Sequence, residues 1–293
     1  MLVLAGYLLR GCYSYALKAR EGRSRLEKRK RDWGKLNVSL NKEIGKFNGK
    51  PGVVIIDLTT GWEFAYNKES LFPSASLVKV PIMAATLVAC AQNRLDLKQT
   101  VVLRKTDKIG GSGSLKGLPA GSVFTLGRLV GLMICDSDNT ATNIVTNLAG
   151  IDYLNRAFKS FGLKDTFLLR RVADYKARSR GIENYTTARD MALLFEKIYS
   201  RKLASGRISD QCISILKLAH SNDRIVRYLP SHVAVAHKTG LEHNVCHDAG
   251  IVFTGKGDFI VIALTRHRNA NSLASKKFIA KISLLVYRYF AGN

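Results

Sequence analysis

Ser76-Leu77-Val78-Lys79 sets a hydroxyl and an amine three residues apart, a spacing that puts both on one face of a helix. A serine hydroxyl becomes a strong nucleophile only when a neighbouring base takes its proton. A lysine can be that base at neutral pH once burial and a second cation pull its pKa down. A place in the first turn of a helix adds the positive end of the helix dipole, which favours a developing oxyanion. The pair reads as the centre of a serine hydrolase or acyl-transferase that works without a His/Asp relay. Alone the pattern is weak, because serine and lysine are common residues.

Two further motifs follow in order. Ser137-Asp138-Asn139, running into Thr140-Ala141-Thr142-Asn143, opens a helical stretch about 60 residues on, and Lys238-Thr239-Gly240 closes a strand-like run about 100 residues further. Each has a plain structural reading, the first as a helix cap and the second as a strand end. Their shared order and spacing lift them above that. Lys238 also supplies the second positive charge that Lys79 needs. No GxSxG elbow and no HExxH helix is present in the sequence, so no other hydrolase constellation competes.

This motif set resembles that of class A β-lactamases and penicillin-binding proteins, and the likeness runs over about residues 36–290. Phe72-Pro73-Ser74-Ala75 before the nucleophile, Gly111-Ser112-Gly113, Leu132-Met133-Ile134 and Thr186-Thr187 support it. The resemblance implies a serine hydrolase that acts through an acyl-enzyme on a small-molecule substrate, a β-lactam or related acyl-peptide, with no cofactor and no metal. It implies attack by Ser76, proton transfer to Lys79, and a proton relay to the leaving nitrogen by Ser137. Asn139 would hold the substrate amide, and Lys238, Thr239 and Gly240 would line the site of its carboxylate. The backbone N–H groups of Ser76 and Leu241 would form an oxyanion hole, in which each donor is typically worth about 3–4 kcal/mol. A D,D-peptidase or esterase using the same Ser–Lys pair, and a penicillin-binding cell-wall protein with little turnover, share these residues.

The chain departs from the family at one place. Class A enzymes carry a glutamate on a loop between the second and third motifs, and it activates the water that clears the acyl-enzyme. Here Arg170–Tyr185 reads RRVADYKARSRGIENY. Counting back from Thr186-Thr187 without gaps puts Val172 at the glutamate's place, and a shortened loop puts Lys176 there. Asp174 and Glu183 do not fit the spacing. Acylation with slow release is the expectation.

The elements that must position these residues are readable from periodicity. Helical spacing predicts helices at about 36–47, 76–91, 125–134, 138–148, 186–200, 207–219 and 272–290. Strand-like runs lie at 53–58, 62–66, 233–238, 248–254 and 259–265. Strands, then a helical block, then strands and a helix imply an α/β (α+β) fold. In it an antiparallel sheet domain flanked by helices carries an inserted all-helical domain. The expected organisation is an N-terminal apolar start and basic arm at 1–34 and a β-lactamase-like domain at 35–293. Within the latter, 35–72 and about 205–293 form the α/β part and about 73–204 the helical part.

The bulk composition, 46% hydrophobic and 23% charged, is that of a globular protein. The charge is unusual: 46 Lys+Arg against 22 Asp+Glu give +24. Residues 1–50 hold thirteen of the basic residues and four of the acidic ones. That asymmetry predicts attraction to an anionic membrane or cell-wall surface through the basic arm, set against the plainer reading of a solubilising segment. Residues 2–9, LVLAGYLL, are too short to span a bilayer. Followed by Arg10-Gly11-Cys12, they read as a truncated or mis-started export signal, so an extracytoplasmic location is expected. No RNP-like aromatic motif is present and the remaining lysines are scattered, so nucleic acid is not the expected partner. The five cysteines have no CxxC spacing and suggest neither a disulfide framework nor a zinc ribbon. His243, Cys246, His247 and Asp248 cluster in sequence, but neighbours on a strand point to opposite faces, so a rim loop is expected there rather than a metal.

Overall fold

Val53-Val54-Ile55-Ile56 is apolar at every position, and a strand of that kind must be covered on both faces. The computed structural model describes the backbone of residues 2–267 and 272–292 and side chains from Ser24 onward. It runs α1 (Leu2–Gly45), β1 (Lys50–Asp57), β2 (Glu63–Tyr66), β3 (Phe72–Pro73), α2 (Lys79–Ala91), β4 (Thr100–Val102) and β5 (Val123–Thr125). Then come α3 (Leu126–Cys135), α4 (Asn139–Ala149), α5 (Ile151–Ser160), α6 (Tyr175–Ser179), β6 (Tyr185–Thr186), α7 (Ala188–Tyr199) and α8 (Gly206–Leu216). The chain closes with β7 (Ala234–Glu242), β8 (Val245–Phe253), β9 (Phe259–Arg266) and α9 (Leu273–Ala291).

One five-stranded antiparallel sheet, in the order β2-β1-β9-β8-β7, organises the molecule. Its centre pairs β1 with β9, from opposite ends of the sequence, and the helical block is inserted between them. The period of two along each strand divides the core. Val53, Ile55, Val261 and Ala263 pack under α1 and α9. Val54, Ile56, Ile260, Ile262 and Leu264 pack against the helical block. β7 lies at the sheet edge, and its residues meet the turn that carries Ser76.

Several elements differ from expectation. β7 runs through the third motif to Glu242 instead of ending at 238, and β8 starts at Val245, so Cys246, His247 and Asp248 are buried in the sheet and do not form a rim loop. The predicted helix at 36–47 is the end of a much longer one, because Trp33, Leu36, Leu40 and Ile44 continue one buried face backwards at helical spacing. The predicted helix at 76–91 begins as a 3₁₀ turn, Ala75–Val78, and becomes α-helical only at Lys79. Residues 151–160, unassigned from sequence, form α5. Gly150, at φ 83°, ends α4 and lets α5 start at the next residue with Leu154, Ala157 and Phe158 turned inward.

The start of the globular body is tied down by one ion pair. Asp57 is fully buried at the end of β1, where one carboxylate oxygen accepts from the backbone N–H groups of Thr59 and Thr60 to shape the β1–β2 turn. Arg29 of α1 donates to both carboxylate oxygens at 3.0 and 2.8 Å. Removing one partner of such a pair leaves an uncompensated buried charge. Arg29→Ala should therefore lower unfolding free energy by about 2–3 kcal/mol, below the full range for such losses because the guanidinium is partly solvated. Urea titration reads this directly, and Arg29→Ala combined with Asp57→Asn should recover part of the loss.

Candidate active site

Ser76 sits in the 3₁₀ turn between β3 and α2, and the turn is held under strain. Ala75 has φ 45°, a left-handed conformation that costs a non-glycine residue energy. Ser74 holds it from both sides: its N–H donates to the Asn184 carbonyl and its carbonyl accepts from the Leu77 N–H. The turn leaves the Ser76 side half-buried at the junction of two clefts. The larger, about 540 Å³, is lined by Ser112, Cys135, Ser137, Ser221, Arg224 and Thr239 among others. The smaller, about 80 Å³, runs past Asn139 to Val172, Glu183 and Glu242.

Lys79 opens α2, fully buried. Its hydrogen bonds among the described residues go to the Ser137 carbonyl (2.6 Å), Ser137 Oγ (3.1 Å) and Asn139 Oδ1 (3.0 Å), not to Ser76. The amine is thus engaged with the second motif in the resting state, and its contact with the nucleophile has to form or tighten when substrate binds. Burial pushes its pKa well below that of an ordinary lysine, and the charge of Lys238 lowers it further against the pull of Asp138 and Glu242.

The loop before α4 aims Ser137 and Asn139. Ser137 also has a positive φ, 54°. Asp138 is the N-cap: one oxygen accepts from the Ala141 N–H and the other from the Leu115 N–H, both at 2.8 Å. Gly113, at φ 108°, is needed there, since a Cβ would fall 2.2 Å from the Asp138 carboxyl carbon. The Asn139 backbone N–H donates to the Ser112 carbonyl and its side-chain amide to the Gly110 carbonyl. The glycine-rich 110–121 segment therefore serves to clamp the second motif.

β7 brings the third motif. Lys238 Nζ donates to Ser137 Oγ at 3.0 Å and to the Thr239 carbonyl at 2.9 Å, so two buried amines converge on one hydroxyl. Gly240 lets the strand approach, because a Cβ there would touch Ala75 Cβ and the Ser74 carbonyl at 3.3 Å. Thr239 exchanges a hydrogen bond with Ser221, and Leu241 is exposed on the rim of both clefts. Of the eight residues singled out from sequence, Ser76, Ser137, Asn139, Thr239 and Leu241 thus line one or both clefts, Lys79 and Lys238 reach Ser137 behind them, and Gly240 backs the turn that carries Ser76.

Lys238 is pushed down to about 7 by burial, with Arg224 adding to that and Asp248 opposing it. Protonated, it attracts a carboxylate; above that pH the free protein loses the charge. The second-order acylation constant, which reports free-enzyme ionisations, should therefore fall on the alkaline side with a midpoint near 7. Arginine stays charged throughout, so Lys238→Arg should remove that limb. A variant profile that still falls near 7 would assign the limb to another group.

The loop between the second and third motifs is held by charges that the sequence did not reveal. Arg170 and Glu183, both buried, pair at 2.6 Å. Arg178 contacts Glu183 at 3.1 Å and Glu242 at 2.9 Å, which joins the loop to the end of β7. Val172 is fixed by the Asn143 side-chain amide, which takes its N–H and gives to its carbonyl. Its side chain borders the small cleft beside Ser76. Lys176 is exposed. Asp174 caps α6 through the Ala177 N–H, and Glu183 accepts from Arg170 and from the Asn184 N–H. Asn143 stood in the quoted run after the second motif without a role; Glu242 and Arg224 are isolated in sequence and gave no signal.

His247 is neutral, with burial pushing its pKa down to about 4. Its Nδ1 accepts from the Thr265 N–H, so Nε2 carries the hydrogen and donates to the Pro73 carbonyl at 2.8 Å, supporting the strand before Ser76. Asp248 bonds His237 and the Ile225 N–H. Cys135 borders the large cleft with its thiol pKa raised, first by burial and then by Asp136.

Residues 35–290 match the sequence pattern of the beta-lactamase enzyme family. Beta-lactamase VEB-1 of Pseudomonas aeruginosa is 22% identical over 88% of this chain and 91% of its own length. Beta-lactamase SME-1 of Serratia marcescens is 26% identical over 81% and 83%. Among solved structures, a beta-lactamase from Sphaerobacter thermophilus superposes with a TM-score of 0.81 at 29% identity, covering 89% of this chain and 98% of that one. PBP-A does so with a TM-score of 0.80 at 27% identity, covering 88% and 97%. A PBP-A variant solved as an acyl-enzyme complex with penicillin G superposes equally well, at 0.80.

Proposed function

This chain belongs to the beta-lactamase enzyme family, and we propose that it opens β-lactam rings by acylation of Ser76 and releases the acyl group slowly. The carrying observation is the convergence of Lys79 and Lys238 on the Ser137 hydroxyl beside Ser76. Two ammonium groups buried together disfavour each other's charge, so a free amine is available near neutral pH without a histidine.

In this reading Ser76 Oγ bonds to the lactam carbonyl carbon while its proton passes to Lys79. The C–N bond breaks as Ser137 Oγ protonates the leaving nitrogen, and the shared proton is replenished from the two lysines. Lys238 and Thr239 hold the substrate carboxylate, and Asn139 its side-chain amide. Release needs a positioned, deprotonated water. Val172 offers no base at the place where class A enzymes hold theirs, and the carboxylates of Glu183 and Glu242 are engaged by Arg170 and Arg178. The beta-lactamase relatives support the chemistry, and the penicillin-acylated PBP-A variant supports an intermediate that persists. In this reading the protein acts outside the cytoplasm, which the apolar start and basic arm of the sequence also suggest.

Intact-protein mass spectrometry with penicillin G tests both halves. One adduct of the whole penicillin mass should form, since ring opening expels no group, and it should persist over many minutes. Nitrocefin hydrolysis should show a burst near one equivalent and then a slow phase. Absence of both adduct and turnover would sink the acylation reading, and fast linear turnover would sink the slow release.

A further inference from the structure

α1 packs on the sheet through Trp33, Leu36, Leu40 and Ile44, and its opposite face is strongly basic. At 3.6 residues per turn, Lys28, Arg31, Lys35 and Lys42 fall within about 60° of arc, roughly opposite that buried face, along about 21 Å of helix. All four are exposed. No acidic residue lies inside the arc, and the lone ion pair within the set is the solvated Lys35–Asp32 contact at 3.4 Å. Val38, beside the same stripe, is an apolar side chain 70% exposed among the cations. We propose that this face of α1 is a docking surface for an anionic lipid bilayer.

Charge complementarity identifies the partner: a row of exposed cations whose one ion pair among the described residues, Lys35–Asp32, is solvated, with an apolar side chain beside it, matches the headgroup layer of an anionic membrane. The chain carries +24 overall, but this stripe concentrates cations on one face of a single helix. α1 and α9 cover the sheet face opposite the helical block, and no residue lining the clefts around Ser76 belongs to α1, so docking through α1 does not use the cleft residues. The helix is part of the folded body through Trp33 and the Arg29–Asp57 pair, so the surface must be tested by substitution in the full chain rather than by deletion.

The experiment is cosedimentation of the full chain with phosphatidylcholine vesicles containing ~30% phosphatidylglycerol, with pure phosphatidylcholine as reference. The wild-type chain should bind the anionic vesicles alone and come off at ~0.5 M NaCl, where charges are screened within a few ångströms. The combined variant Lys28→Gln, Arg31→Gln, Lys35→Gln and Lys42→Gln should bind ~100-fold more weakly or worse, since each basic residue near such a surface is worth ~5-fold. Val38→Asp alone should weaken binding ~10-fold. A control variant with four exposed lysines of the helical block neutralised, Lys98, Lys105, Lys159 and Lys202, should stay within ~3-fold of wild type. Unchanged circular dichroism and Ser76 acylation certify the fold of each variant. Equal losses in both four-site variants, no binding of wild type to the vesicles, or stripe-dependent retention on isolated anionic wall polymer but not on lipid would each overturn the proposal.

Discussion

Ser76→Ala should lower the rate of adduct formation with penicillin G by ~10⁴-fold or more, because losing a covalent nucleophile removes the step itself and not one contribution to it. The alternatives are few. Ser137 has its hydroxyl bound by both Lys79 and Lys238, an arrangement suited to passing protons. Ser74 is fully buried with its hydroxyl turned to the Ala75 carbonyl at 3.4 Å. The Cys135 thiol is shifted away from the reactive thiolate by burial and by Asp136. Peptide mapping should place the adduct on the Ser76 peptide alone. The alanine variant should keep its melting temperature within ~2 °C, since the hydroxyl makes no hydrogen bond that the fold depends on. An adduct on Ser74, Ser137 or Cys135 would refute the assignment.

Val172→Glu should shorten the lifetime of the penicilloyl adduct by ~10²–10⁴-fold, the usual worth of a positioned general base. The site is prepared for it in two respects. The backbone at 172 is clamped from both sides by Asn143, so the new side chain inherits a fixed origin. The valine side chain already borders the cleft of about 80 Å³ that Ser76 and Asn139 line, where a water attacking the ester would stand. Burial there disfavours a charged carboxylate, which raises its pKa toward neutrality and suits it to take a proton from water. Acylation should stay within ~3-fold of wild type, because the base for that step is Lys79. Val172→Gln, of equal length without the base, should leave the lifetime unchanged. If the wild-type chain already turns over quickly and Glu183→Gln or Glu242→Gln abolishes it, the base lies in the arginine-linked pair instead.

Much of this site was legible in one dimension because its chemistry is carried by short motifs. A serine and a lysine three residues apart, a cap-like Ser-Asp-Asn and a Lys-Thr-Gly keep their meaning wherever the elements lie, although the last, expected to close a strand, lies within β7. The antiparallel sheet and the helical insertion were equally legible, since periods of two and 3.6 report which face of an element must be covered. What short windows lacked was local conformation with a distant cause. Ser76 stands in a 3₁₀ turn, not an α-helix, because Asn184, Ser74 and the close-passing Gly240 hold Ala75 in a strained conformation.

Other features depended wholly on tertiary structure, for a common physical reason. Lys79 and Lys238 meet on Ser137 across separations of 58 and 101 residues, and their lowered pKa values exist only because the fold buries both. Arg178 reaches Glu242 from a different element, so neither residue announces the link that joins the loop to β7. Arg29 is one more charge in a basic arm when read from sequence, whereas in the fold it pairs with the buried Asp57, 28 residues away. Sequence determined which groups are available and which faces are apolar. Desolvation and long-range charge pairing, which arise only when distant segments pack, decided what those groups do.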